Sequence, residues 1–508
     1  MKNKSLWLSA AAALVAAAAL AGCGTTTYFA GRALPPSGLA NRVLIAIQNP
    51  SSLATGSLQI VDAYYDIRCK YNSGNCSGPA FSISGFSGNL PYSIQNMPEE
   101  LTGAVYSSGD GSLTQINYAG EKTIGAVSGL NGASSSVFIT RNQTYIFAAS
   151  QTSHVLTVVD KSATNAGSYP LSLPGVYRVS VNPGGSVALA FVQNSNYVYY
   201  PVKLTSAQTQ AYSGGPGRWP KAAQDCEPQA APGWCLIQAQ SPDHVDATNN
   251  YYGAPLSFDR PVKAVFSADG STAYILNCGP ECGGTAASIT PIQVAPMIYL
   301  VGQGSGTLPS ATTTLSANCG TVNLVAGCVP IPGGASNALV DSTTMYVVGQ
   351  QQMKDTCSGG ALCWGGHLTV VNLATNAISS PAVSISDGAP GGVSRMIEAD
   401  DNTLWIGMRD CSNGERANNP TAYPSGYGCL TMFNTTSNAV TVMPYLGDAT
   451  GIAAVTGLNK IYTVEGGQVY IYSTVDGSAI NNEFVTVTGT AYDVAYMDAT
   501  TDANNTVY

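Results

Sequence analysis

Four stretches decide the fold: Ser136-Val-Phe-Ile-Thr140, Arg141-Asn-Gln143, Thr144-Tyr-Ile-Phe-Ala-Ala149 and His154-Val-Leu-Thr-Val-Val-Asp160. They read as an apolar strand, a tight polar turn, a second strand and a third strand that ends in an acid. β-Branched and aromatic side chains favour the extended chain, and Asn and Gln supply the turn. The same unit returns along the chain. Val262-Lys-Ala-Val-Phe-Ser267, Ala268-Asp-Gly270 and Ser271-Thr-Ala-Tyr-Ile-Leu276 form one copy. Val393 to Glu398, Ala399-Asp-Asp-Asn402, Thr403-Leu-Trp-Ile-Gly407 and the later Leu430-Thr-Met-Phe-Asn434 form another. Further copies centre on 176–201, 336–372 and 451–472, with irregular ones at 42–88 and 92–129. A period of about 40 to 60 residues in strands and tight turns indicates a radial repeat, not several separate domains.

Such units are the four-stranded blades of a β-propeller. Second-and-third-strand pairs at about 43–62, 103–117, 144–160, 187–203, 273–293, 345–372, 404–434 and 460–473 predict an all-β fold of about eight blades, seven being the alternative. The first unit lacks an innermost strand, whereas Thr490-Ala-Tyr-Asp-Val-Ala-Tyr496 is a first strand without a blade. Pairing the two closes the ring and removes both open edges. Over almost all of its mature length the chain resembles the bacterial YVTN-type and quinoprotein-like propeller superfamily. Its blades lack the Trp-rich signatures of quinoprotein dehydrogenases. Lactonase-type propellers gather acidic, Asn and His metal ligands around the channel, for which the innermost strands here offer Glu398 and Asp493.

The chain has 508 residues, of which 20 are basic and 29 acidic, giving a net charge of −9. That balance disfavours nucleic acid as a partner. Lys2 and Lys4 precede an Ala/Leu run from Leu6 to Ala21, as in an export signal over residues 1–22. Leu20-Ala21-Gly22-Cys23 resembles the lipobox of bacterial lipoproteins, which implies acylation of Cys23 and a membrane anchor in the cell envelope. Gly24 replaces the Asp that marks many inner-membrane lipoproteins, so the resemblance implies the outer membrane. Residues 23–41 then form a flexible tether, and 42–508 the propeller, with a long inserted loop at about 204–260.

Twelve cysteines remain: Cys69, Cys76, Cys226, Cys235, Cys278, Cys282, Cys319, Cys328, Cys357, Cys363, Cys411 and Cys429. They fall into six close neighbour pairs, which in an exported chain read as six local disulfides. Cys278-Gly-Pro-Glu-Cys282 has the wrong spacing for a zinc site.

In a propeller the loops between strands two and three share a face with the blade-to-blade connections. The segments 277–286, 350–366, 409–428, 204–260 and 316–333 are expected to enlarge that one face and to carry five of the six disulfides. Trp219, Trp234, Trp364, Tyr251, Tyr252, Tyr423 and Tyr427 lie in them as candidate recognition aromatics. Asp243-His244-Val-Asp246 is a candidate cation site, and His154 and His367 are read as strand residues. Asp269-Gly270 and Asp476-Gly477 are read as turns. No catalytic constellation stands out. The expectation is therefore a non-catalytic module or scaffold, without a cofactor, that binds an envelope protein or glycan. The alternative is a propeller hydrolase or lactonase with a divalent cation such as Ca²⁺ in its channel.

Overall fold

The computed structural model describes most of residues 34–499; outside the description lie 1–33, 204–222, 227–233, 240–256, 295–327, 354–362, 386–392, 412–427, 481–484, 500–508 and a few shorter stretches. The described strands assemble into eight sheets arranged as an eight-bladed propeller, with a separate two-stranded ribbon at Lys70–Asn72 and Asn75–Ser77. The blades are numbered here in chain order. Blade 3 is typical: Ser136–Ile139, Tyr145–Ser150, Val155–Asp160 and Gly167–Ser172 pair in sequence as antiparallel neighbours.

Closure follows the expected route. Thr490–Tyr496 pairs antiparallel with Arg42–Gln48, with Val43 opposite Tyr496, and so supplies the innermost strand of blade 1. Each inter-blade seam holds one hydrophobic cluster, eight among the described residues, including Val43, Ile45 and Tyr496 against Tyr462 and Val464 between the last blade and the first. A sheet clamped between two such seams buries both faces, so Thr403–Met408 is buried at every position. Burial fades outward, and the outermost strand Lys122–Val127 has no buried residue.

A second, polar lock joins the chain ends. Arg42 is 1% exposed and donates from Nε (2.9 Å) and Nη2 (2.6 Å) to the two oxygens of Asp498, and from Nη1 to the Tyr118 carbonyl (2.6 Å) and Glu121 Oε1 (3.0 Å). Ser37 donates from its backbone N (2.8 Å) and Oγ (2.5 Å) to Glu121. The body therefore begins by Ser37, inside the segment expected as a free tether.

First strands begin, and second strands end, on one face of the disc, called here the upper face. Loops between strands two and three open there, including the short helical turn Gly279–Cys282. The N-terminal entry at Arg42 and the Glu121 turn lie on the lower face. Turns between strands one and two are tight, as expected: Asn182 Oδ1 accepts from the Ser186 and Val187 N–H groups at 2.9 Å, and Asp269 Oδ1 accepts from Ser267 Oγ at 2.6 Å.

Two of the five expansions depart from expectation. The segment 204–260 is not one loop, because Trp234–Gln238 is the fourth strand of blade 4 and Ala223–Cys226 is an added fifth. In blade 5 the fourth strand is only Val329–Pro330, so the residues before it lie between strands three and four instead of between blades. The described ends of the other three segments lie on the expected face, and 350–366 is in part a hairpin, with Thr344–Met353 paired to Cys363–Asn372.

Candidate functional site

The centre of the upper face is built by a repeated backbone device. In six blades the first strand carries a bulge within its first residues, at Pro91/Ser93, Val176/Arg178, Pro261/Lys263, Val393/Arg395, Ala449/Gly451 and Ala491/Asp493. A bulge leaves one residue unpaired and re-aims its neighbours. The unpaired residues include Tyr92, Tyr177, Thr450 and Tyr492, all of which line a cavity of about 260 Å³ at the channel mouth. The residues that follow the bulges form a ring around the axis: Ser93, Arg178, Lys263, Arg395, Gly451 and Asp493. Ser136 and Asn337 complete it from the two unbulged first strands.

Guanidinium groups gather at the channel mouth of this acidic chain. Arg178, Arg395 and Arg409 line the cavity with Tyr92, Tyr106, Tyr177, Tyr492 and the Ser134–Ser136 wall. Asp493 is the counter-charge: its Oδ2 accepts from Arg395 at 2.5 Å and from the Ile94 N–H at 2.7 Å. Burial raises the Asp493 carboxyl, while Arg395 pulls it back. Lys263 is 3% exposed and donates to Asn337 Oδ1 at 2.8 Å. Burial first, then the Arg178 and Arg395 charges, hold it well below the usual lysine value. Arg178 reaches the Val262 carbonyl at 3.5 Å and lies 5.7 Å from the Tyr177 ring centre. Arg409 hydrogen-bonds the Tyr92 hydroxyl, while its Nε and Thr450 Oγ1 are buried without a partner. Tyr92 links the aromatic wall, 4.8 Å from Tyr492 and 6.4 Å from Tyr106 between ring centres.

Sequence reasoning missed Arg178, Lys263, Arg395 and Arg409. For the first three the signal was present: a basic residue two places into the first strand of blades 4, 5 and 7, visible only when the blades are stacked on one another.

The expected aromatics fare differently. Trp234 is corrected: it is 5% exposed, its ring 5.6 Å from Tyr145 and 6.4 Å from Tyr169 in the seam with blade 3. A strand flanked by a neighbouring blade buries its large side chains, whatever insertion carries it. Trp364 lies in the third strand of blade 6, half-buried, on the part of the Thr344–Met353 and Cys363–Asn372 hairpin that extends past the ring. Trp219, Tyr251, Tyr252, Tyr423, Tyr427, Asp243, His244, Asp246 and Cys23 lie outside the described residues. Tyr64, Tyr65 and Tyr71 instead form an exposed stack on the lower face. His154 ends a turn with φ +58° just before its strand.

Disulfides join Cys69 to Cys76, Cys278 to Cys282 and Cys411 to Cys429, three of the six expected pairs. Cys235 and Cys328 are also disulfide-bonded, and the register sets Cys226 opposite Cys235. That last position adjoins the end of the third strand at Lys203, so the pair belongs to the lower face and not to the expanded one. Cys319 and Cys357 lie outside the described residues, as does the side chain of Cys363.

Of the two candidate channel acids, Asp493 is already committed to Arg395. Glu398 is pushed up to about 7 by burial and then by the Asp341 charge. Among the described residues no group of three His, Cys, Asp or Glu side chains could hold a metal.

No family model matches the chain, and no curated protein matches it. Solved structures do, at the level of fold. The Swd1 β-propeller domain from Myceliophteria thermophila aligns at 10% identity and TM-score 0.34, covering 77% of this chain and 86% of that one. A putative 6-phosphogluconolactonase from Bacteroides fragilis aligns at 9% and 0.41, covering 90% and 98%. Apo AztD from Citrobacter koseri aligns at 10% and 0.44, covering 90% and 97%. Identities this low carry no function across.

Proposed function

We propose that the protein is a lipid-anchored envelope propeller, held through Cys23 at the outer membrane, that works as a non-catalytic binding module for an envelope protein or glycan. The cationic, tyrosine-walled cavity at the channel mouth supports this reading, because it lies on the face to which the strand-two-to-three loops belong. Its side chains are donors and aromatic faces, which grip a partner. A divalent cation placed there would meet three guanidinium groups, so the geometry favours binding over a metal-dependent lactonase at this end.

Cross-linking in intact cells, followed by purification from membranes, tests the reading. A discrete envelope partner is expected, together with incorporation of labelled palmitate that Cys23→Ser abolishes. Turnover of lactones by the purified protein with Ca²⁺, and no cross-linked partner, would overturn it.

A further inference from the structure

The cavity at the channel mouth narrows the partner's chemistry; the inference rests on the binding reading above. Its charge asks for an anion. Among the described residues two carboxylates act on Arg178, Arg395 and Arg409: Asp493, which Arg395 already holds, and Asp448, whose charge acts on Arg409. Among the described residues Arg178 has no carboxylate partner, and Arg409 Nε meets no acceptor. A planar guanidinium matches a carboxylate through two parallel N–H donors. The lining asks for more than a bare ion. Tyr492, Tyr92 and Tyr106 form a continuous ring wall, Tyr177 flanks Arg178, and Thr450 Oγ1 waits unpartnered. Aromatic faces beside polar groups suit the C–H face and hydroxyls of a sugar ring. About 260 Å³ is just under the usual span for drug-sized ligands and fits a body of roughly one ring. A peptide is the competing occupant, since each surrounding first strand ends its sheet and pairs on one side only among the described strands, and triglycine stands for it in the test below.

We propose that the channel mouth binds a uronic acid residue of an anionic envelope glycan, its carboxylate taken by the arginines and its ring laid against the tyrosine wall.

Titration calorimetry on the full-length mature protein in detergent tests this with D-glucuronate, D-galacturonate, D-glucose, inorganic phosphate and triglycine. A uronate is expected to bind at least about tenfold more tightly than glucose, phosphate or triglycine. Loss of charge-assisted hydrogen bonds in Arg178→Gln or Arg409→Gln should weaken it by roughly 10- to 100-fold. Arg178→Lys, which keeps the charge but not the fork, should bind at an intermediate level, and it guards against a misfolded Gln variant. No heat with either uronate would overturn the proposal, as would glucose, phosphate or triglycine binding as tightly. The two readings separate cleanly. If uronates fail while cross-linking still captures a partner in the Arg178→Gln strain, the uronate site falls and the binding module stands.

Discussion

Glu465 has 0% exposure in blade 8, and its Oε1 accepts from Thr463 Oγ1 (2.7 Å) and Tyr472 Oη (3.1 Å) while Oε2 has no partner. Burial pushes its carboxyl up to about 7, against the pull of those two hydrogen bonds. A carboxyl whose folded value exceeds its unfolded value binds the proton more tightly in the native state. Its contribution is therefore complete below the unfolded value of about 4.3 and is lost as pH rises through the folded one. Wild-type stability should fall between about pH 4.5 and 8 through this group. Glu465→Gln, neutral throughout, should remove that fall and be more stable at pH 8 by about 3 kcal/mol. Denaturant unfolding at about pH 5 and pH 8 checks this, and parallel pH profiles for the two proteins would refute it. Lys263 is a second buried titratable group, and burial followed by the Arg178 and Arg395 charges lowers it well below the usual lysine value.

At the level of strands, blade 8 meets blade 1 at their innermost strands. A Cβ on Gly451 would lie 2.7 Å from Asp493 Oδ1 and 2.8 Å from both Asp493 Cα and the Val494 N. Two of those neighbours are backbone, so a side chain at 451 must push the closing strand away. Gly451→Ala should cost about 1–3 kcal/mol, readable as a lower unfolding midpoint. It should also weaken whatever the channel mouth binds, because Asp493 and Arg395 move with that strand. The inner strands explain what was legible in the sequence. Second and third strands are buried between seams, so their apolar runs and intervening turns reveal eight units, and the orphan strand at 490–496 announces ring closure. Fourth strands carry little burial, as Lys122–Val127 illustrates, and hence almost no pattern. Val329–Pro330, only two residues long, was read as loop for that reason, whereas Trp234–Gln238 is well buried and was missed because it stands apart after a long insertion. The site was hidden differently: Arg178, Lys263 and Arg395 each interrupt an otherwise apolar run in a different blade, and only the circular fold brings them to one axis.

For the whole molecule, closure rests on hydrogen bonding between the two ends of the chain and on the buried Arg42–Asp498–Glu121 network. Removing one partner of such a pair strands a buried charge, so Asp498→Ala should cost about 3–5 kcal/mol. Arg42→Met with Asp498→Leu should recover much of that loss, because the apolar pair leaves fewer charges to desolvate. Unfolding curves for the single and double variants decide between these outcomes. The same network fixes where the chain enters the disc: Ser37 is bound to Glu121 on the lower face, opposite the arginine ring. From an acylated Cys23 to Leu34 is eleven residues, a reach of at most about 40 Å. On the proposed anchor, the entry point of the disc thus stays within about 40 Å of the bilayer. A glycan rooted in the same membrane then meets the cavity at an effective concentration on the order of millimolar, so a site that grips a single sugar weakly in solution can stay occupied at the surface.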